Sequence, residues 1–136
     1  MKVAGSLGSC GLTVLRVVVG IVFLLHGWQK VSVFGLHGVT GMLSSLGIPL
    51  PNVSAVILIG VELIGGALLI LGLGARWAAL LIAIDMTVAI LFVHLKAGFF
   101  SPKGFEFPLT LLAAAICLAL AGPGSLSLDA VIGKRE

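Results

Sequence analysis

Apolar residues run through this chain in four long blocks, separated by short polar or glycine-rich breaks. The blocks cover Leu12–Val31, Val53–Leu73, Trp77–Leu95 and Phe107–Ala121. Each is close to the roughly 20 residues that an α-helix needs to cross the hydrocarbon of a bilayer, the last being short. In lipid a backbone must satisfy its own hydrogen bonds, so runs of this length are read as helices. The pattern predicts an all-α membrane protein: a four-transmembrane-helix bundle in a single domain over residues 1–136. The first connection, Ser32–Asn52, is the longest, and its middle predicts a short amphipathic helix in the interface, closed by Gly47 and Pro49. The second connection, Gly72–Arg76, is a tight turn, and Gly122-Pro123-Gly124-Ser125 stops the fourth helix.

Composition supports this pattern. Of 136 residues 60% are hydrophobic and 10% charged, and mean hydropathy is +1.28. Eight basic and five acidic side chains cannot cover the surface of a water-soluble monomer of this size. A second large domain is excluded as well, because four spans use about 80 residues. The net charge of +3 is scattered along the chain, with no patch suited to nucleic acid. It carries a topology signal instead. Lys2, Arg16, Arg76, Lys134 and Arg135 fall on the side of both termini, against Lys30, Lys96 and Lys103 on the other, which favours both termini inside. The first apolar run is as long as a true span and is expected to stay, not to be cleaved as a signal peptide. Cys10 and Cys117 form no CxxC and are expected to be unreactive packing thiols.

A charged side chain inside a span costs several kcal/mol, so each one needs a partner or a purpose. In the first helix Arg16, Gly20, Phe23, Gly27 and Lys30 form one stripe, with His26 and Gln29 beside it. In the second, Glu62 shares a face with Gly65 and Gly66, where close helix contact would turn it into the bundle. In the fourth, Glu106, Thr110, Ala113, Ala114 and Cys117 suggest a second packing face. By depth, His26, Gln29, Lys30, Glu62, His94 and Glu106 converge in the outer half and are the candidates for ligand binding or proton exchange. Phe34, Phe99, Phe100, Phe105 and Phe107 are candidate walls. Asp85 lies near mid-span, about half a turn around the axis from His94, so the two are not expected to share one narrow site. Arg16, Arg76, Asp85 and Asp129 are assigned structural roles, the two arginines as snorkelling anchors. A Lys30–Glu62 or Lys30–Glu106 ion pair that only fixes helix register is the competing interpretation. No HxxxH or ExxH pattern points to a metal. An apolar slot with titratable groups suits a quinone or a similar small molecule, although composition alone does not single out a quinone.

The ordered motifs resemble the DoxX family of small four-helix membrane proteins. They are Arg16, then His26-Gly27-Trp28-Gln29-Lys30, Leu46-Gly47-Ile48-Pro49, Glu62-Leu63-Ile64-Gly65-Gly66, Leu71-Gly72-Leu73 with Arg76, His94 ahead of Gly98-Phe99-Phe100, Glu106, and Gly122 to Asp129. The resemblance covers residues 12–130. It implies a bacterial or archaeal cytoplasmic-membrane protein with both termini inside. It also implies links to thiosulfate:quinone oxidoreductase, to thiol and oxidative-stress defence with superoxide dismutase or sulfurtransferase partners, and to quinone or catechol resistance. The positions that carry over are Arg16, His26, Lys30, Glu62, Arg76, His94, Glu106 and Asp129; Asp85 is not among them.

Three functions are open at this level. The first is a membrane subunit of a redox system that binds a quinone, with a soluble or peripheral partner supplying the electron carrier. The second is a small proton-coupled transporter or efflux subunit. The third is a membrane anchor for a soluble redox partner, recruited through the tail after Asp129. A homo-oligomer is compatible with each.

Overall fold

The computed structural model describes residues 2–133, with side chains from residue 5 onward. Lys134 and Arg135 of the charge count lie outside the described residues. Every regular element among the described residues is helical. Helix α1 (Lys2–Gln29) continues through a π turn, Lys30–Phe34, into α2 (Gly35–Ser45). The second span comprises α3 (Pro51–Gly60), a π turn at Val61–Gly65, and α4 (Gly66–Leu71). The third begins with α5 (Ala75–Ala89), passes through a π turn at Ile90–His94 and ends in a 3₁₀ turn, Leu95–Ala97. Helix α6 (Glu106–Ala121) forms the fourth, and a short α7 (Leu128–Gly133) follows. The four-helix membrane bundle predicted from the apolar blocks is the observed architecture.

Two differences concern the ends of the first span. The glycine-rich lead before Leu12 is helical and extends α1 by two to three turns. The first connection is mostly helix: at Gly35 the chain takes φ +67°, bends, and starts α2 directly. Helix α2 buries Val39 and Leu43 against Ala55 of α3, with Ile48, Leu58 and Ile59 around them. It is the amphipathic helix expected in this connection, folded back onto the second span.

The spans pack along small residues. Gly20 of α1 lies against Gly66 of α4. A Cβ on Gly66 would sit 2.6 Å from the Leu24 nitrogen, so the two backbones touch only because both residues lack side chains. One helical stage further along, a Cβ on Gly27 would meet the Leu63 nitrogen at 2.9 Å and the Glu62 Cβ at 3.1 Å. This crossing sets Lys30 beside Glu62. The core between them is Val19, Phe23, Leu69, Ala79, Ile82, Ala115 and Leu118, each almost fully buried. On α6 the buried face is Pro108, Leu111, Ala115 and Leu118. Of the stripe expected to pack there, Thr110, Ala113 and Cys117 point outward, which corrects that packing face, while Ala114 is packed against the core. Cys10 and Cys117 are both exposed on the helix surface, so neither is a packing thiol. Trp28 and Trp77 are also exposed, at 61% and 74%.

Candidate functional site

The polar side chains in the spans divide into two groups at opposite ends of the bundle. At the end carrying the second connection and the tail, all of them are used to close helix termini. Arg16 is 1% exposed, too buried to reach a membrane interface. A buried guanidinium is tolerable only when hydrogen-bonded. Nη1 donates to the carbonyls of Leu69 (2.6 Å) and Ile70 (3.0 Å), and Nη2 to that of Leu126 (2.6 Å). Arg16 therefore caps the C-terminus of α4 and ties the tail to it, and the snorkelling role expected for it is corrected. Arg76 is exposed and donates to the carbonyls of Ala119 (3.1 Å) and Leu120 (2.6 Å), closing α6. The Asp129 carboxylate accepts from the Gly74 and Ala75 nitrogens at 2.8 and 3.0 Å, capping the N-terminus of α5.

At the other end lies a cavity of about 650 Å³, within the range of small-molecule sites. Its back wall is α1, through Phe23 and His26, followed by Lys30 and Phe34. One side is α2 and α3, through Val39, Met42, Leu43 and Leu58. The other is the third span and α6, through Met86 of α5, Val93 of its π turn, Pro108 and Leu111. Most of the lining is apolar. The polar exceptions are His26, Lys30, Glu62, Asp85 and His94. Phe34, Met42, Val88, Val93 and Phe107 line the cavity and are also exposed, so it opens through an apolar mouth on the side of the bundle.

Inside, Lys30 and Glu62 form a close ion pair. Nζ donates to Oε1 at 2.9 Å and lies 2.7 Å from Oε2, which accepts no further hydrogen bond. Glu62 is buried at 4% side-chain exposure while Lys30 retains 19%. His94 carries its Nδ1 at 2.8 Å from the Lys103 carbonyl. A carbonyl only accepts, so the ring proton sits on Nδ1 and Nε2 is the nitrogen left free.

Each of the first three spans has one π turn, and each π turn carries a polar cavity residue: Lys30, Glu62 and His94. A π turn adds about one residue to the local register and rotates the residues beyond it by roughly 100°. This explains why Asp85 and His94, which an unbroken α-helix would place on opposite sides, both line the cavity. Their expected separation is thereby corrected, and Asp85, expected to be structural, is a cavity residue. Its Oδ2 is buried and has no hydrogen-bond partner. No pattern of side-chain types announces a π turn, so the sequence held no signal for this placement.

The other candidates for the ligand site lie outside the cavity. Gln29 is exposed on the outer surface of α1. Glu106 turns back over the third connection and accepts from the Ser101 nitrogen at 2.6 Å. Phe99 packs edge-to-face on Phe100 and Phe105, with ring centroids 5.3 and 5.4 Å apart, forming a cluster of its own in that loop. Of the five proposed aromatic walls, Phe34 and Phe107 line the cavity.

Comparison with known proteins agrees with this architecture. A Bacillus subtilis protein named "Putative oxidoreductase CatD" is 39% identical over 126 residues, covering 93% of this chain and 90% of that one. Mycobacterium tuberculosis has a relative named "Uncharacterized membrane protein Rv3486", 35% identical and covering 94% and 85%. The Escherichia coli relative named "Inner membrane protein YqjF" is 30% identical and covers 96% and 98%. No solved structure matches the chain significantly. The DoxX family profile matches residues 11–95, more than half of the chain. The chain belongs to the DoxX family of membrane proteins.

Proposed function

We propose that this protein is the membrane subunit of a redox or oxidative and thiol-stress system, and that it binds a quinone or similar small apolar molecule in the cavity between α2–α3 and α5–α6. The cavity carries this proposal: a mostly apolar, laterally open space lined by five polar side chains, with Glu62 and the Oδ2 of Asp85 buried. A molecule dissolved in the bilayer meets an apolar mouth first and polar partners deeper in, which matches a flat head group on a hydrocarbon tail. The oxidoreductase label on the Bacillus relative points the same way. When bound, a quinone would supply two-electron chemistry, and a soluble or peripheral partner would bring the electrons. The chain's own residues would bind and orient the head group.

On this reading the protein sits in the cytoplasmic membrane with both termini on the cytoplasmic side. The names of the inner-membrane relatives support the compartment, and the charge count supports the orientation. The N-terminal part of α1 and the segment after α6 do lie together, since a Cβ on Gly124 would meet the Ser9 carbonyl at 2.6 Å.

A purely structural role has one observation in its favour. The Lys30–Glu62 pair is tight enough to fix the register of the first two spans by itself. Titration of the purified protein in native lipid with decylubiquinone separates the two. Saturable binding that weakens in Glu62→Gln supports the ligand role; absence of binding in wild type and variant alike leaves only the structural one.

A further inference from the structure

Four carboxylates are present among the described residues: Glu62, Asp85, Glu106 and Asp129. Three are committed. Glu62 pairs with Lys30, Glu106 accepts from the Ser101 nitrogen in the third connection, and Asp129 caps α5 at the opposite end. Asp85 lines the cavity with a buried oxygen, Oδ2, that has no hydrogen-bond partner, and unlike Glu62, whose Oε2 lies 2.7 Å from Lys30 Nζ, it has no cation in ion-pair contact among the described residues. Buried polar atoms in folded proteins are nearly always satisfied by protein, water or ligand. The one lysine that could neutralise Asp85 is already engaged by Glu62.

Resting on the quinone-type site proposed above, we infer that Asp85 is the residue that shares a proton with the ligand's oxygen. Its carboxyl donates through Oδ2 to a carbonyl oxygen, or its carboxylate accepts from a hydroxyl. One proton lies between the two oxygens in either case, and no electron moves. The charged and titratable groups facing Asp85 are His26 and Lys30 from the first span and its π turn, Glu62 from the second span and His94 from its own span. Helices α2 and α6 face it with apolar side chains. Among these groups Lys30 and Glu62 hold each other, and His94 holds the Lys103 carbonyl through Nδ1.

The sign of the pH dependence comes from the ligand's chemistry. A quinone offers acceptors only, so it needs protonated Asp85, and its affinity falls as pH rises. A quinol donates, so it gains from the carboxylate, and its affinity changes in the opposite direction.

The test is a binding titration of decylubiquinone and its reduced form, with the full chain in lipid nanodiscs, across the range where carboxyl groups and histidines titrate. Wild type is expected to show opposite slopes for the two probes. Asp85→Asn, which keeps shape and hydrogen-bonding capacity, is expected to flatten both. Asp85→Leu is expected to weaken both by about tenfold, the loss of one buried hydrogen bond. If Asp85→Leu fails to fold, the Asn profile decides. Slopes that persist in Asp85→Asn would place the titrating group on a histidine and overturn the inference while leaving the quinone site in place. If neither probe binds to wild type, the site and the inference fall together.

Discussion

At the residue scale, the question is what each costly polar side chain does in an apolar bundle. Arg16 is a backbone cap; its three carbonyl partners come from α4 and the tail. The sequence places it on the inward stripe with Gly20, Phe23 and Gly27, and that stripe is buried as expected. Its partners were not legible, because a carbonyl is present at every residue and nothing in the side-chain pattern marks the ones left open at a helix end. Lys30 and Glu62 were legible as a candidate pair, since glycines on both spans permit close approach. Removing one partner leaves a buried charge uncompensated. Glu62→Gln is therefore expected to destabilise the bundle by up to about 3 kcal/mol, less for the part of Lys30 that stays exposed. Lys30→Met combined with Glu62→Gln should recover much of that loss. Thermal unfolding of the single and double variants in detergent checks the cycle; additive losses would mean that the pair contributes nothing by its pairing.

At the scale of elements, the three π turns shape the site. Hydrophobic periodicity located every span, and the buried glycines of α1 and α4 are where the stripe predicts. It misplaced Asp85 relative to His94 because a fixed rotation per residue assumes an unbroken α-helix. It also placed Phe99, Phe100 and Glu106 at the site by proximity along the chain, whereas backbone hydrogen bonds such as Phe105 to the Gly98 carbonyl fold that loop on itself. If the π turn at Ile90–His94 sets the site, deleting Leu91 converts it to α-helix and turns His94 away from Asp85. The deletion is expected to leave helix content by circular dichroism unchanged while abolishing decylubiquinone binding. Intact binding in a folded deletion variant would show that the π turn is irrelevant to the ligand.

At the scale of the molecule, one end of the bundle spends its polar groups on closing helices, and the other gathers them around a space. Arg16, Arg76 and Asp129 hold the second connection, the fourth helix end and the tail together. His26, Lys30, Glu62, Asp85 and His94 line a cavity whose mouth opens between the spans. This division by depth could be anticipated from helix length and rise alone. The cavity could not, because it depends on α2 folding back over α3 at Gly35. Photolabelling addresses the cavity most directly. A photoreactive quinone with an apolar tail, irradiated with the protein in native lipid and mapped by mass spectrometry, is expected to mark Phe34, Met42, Val93 or Phe107, and an excess of unlabelled decylubiquinone is expected to suppress those marks. Labels scattered over the lipid-facing surface and insensitive to competitor would contradict a ligand site in this cavity.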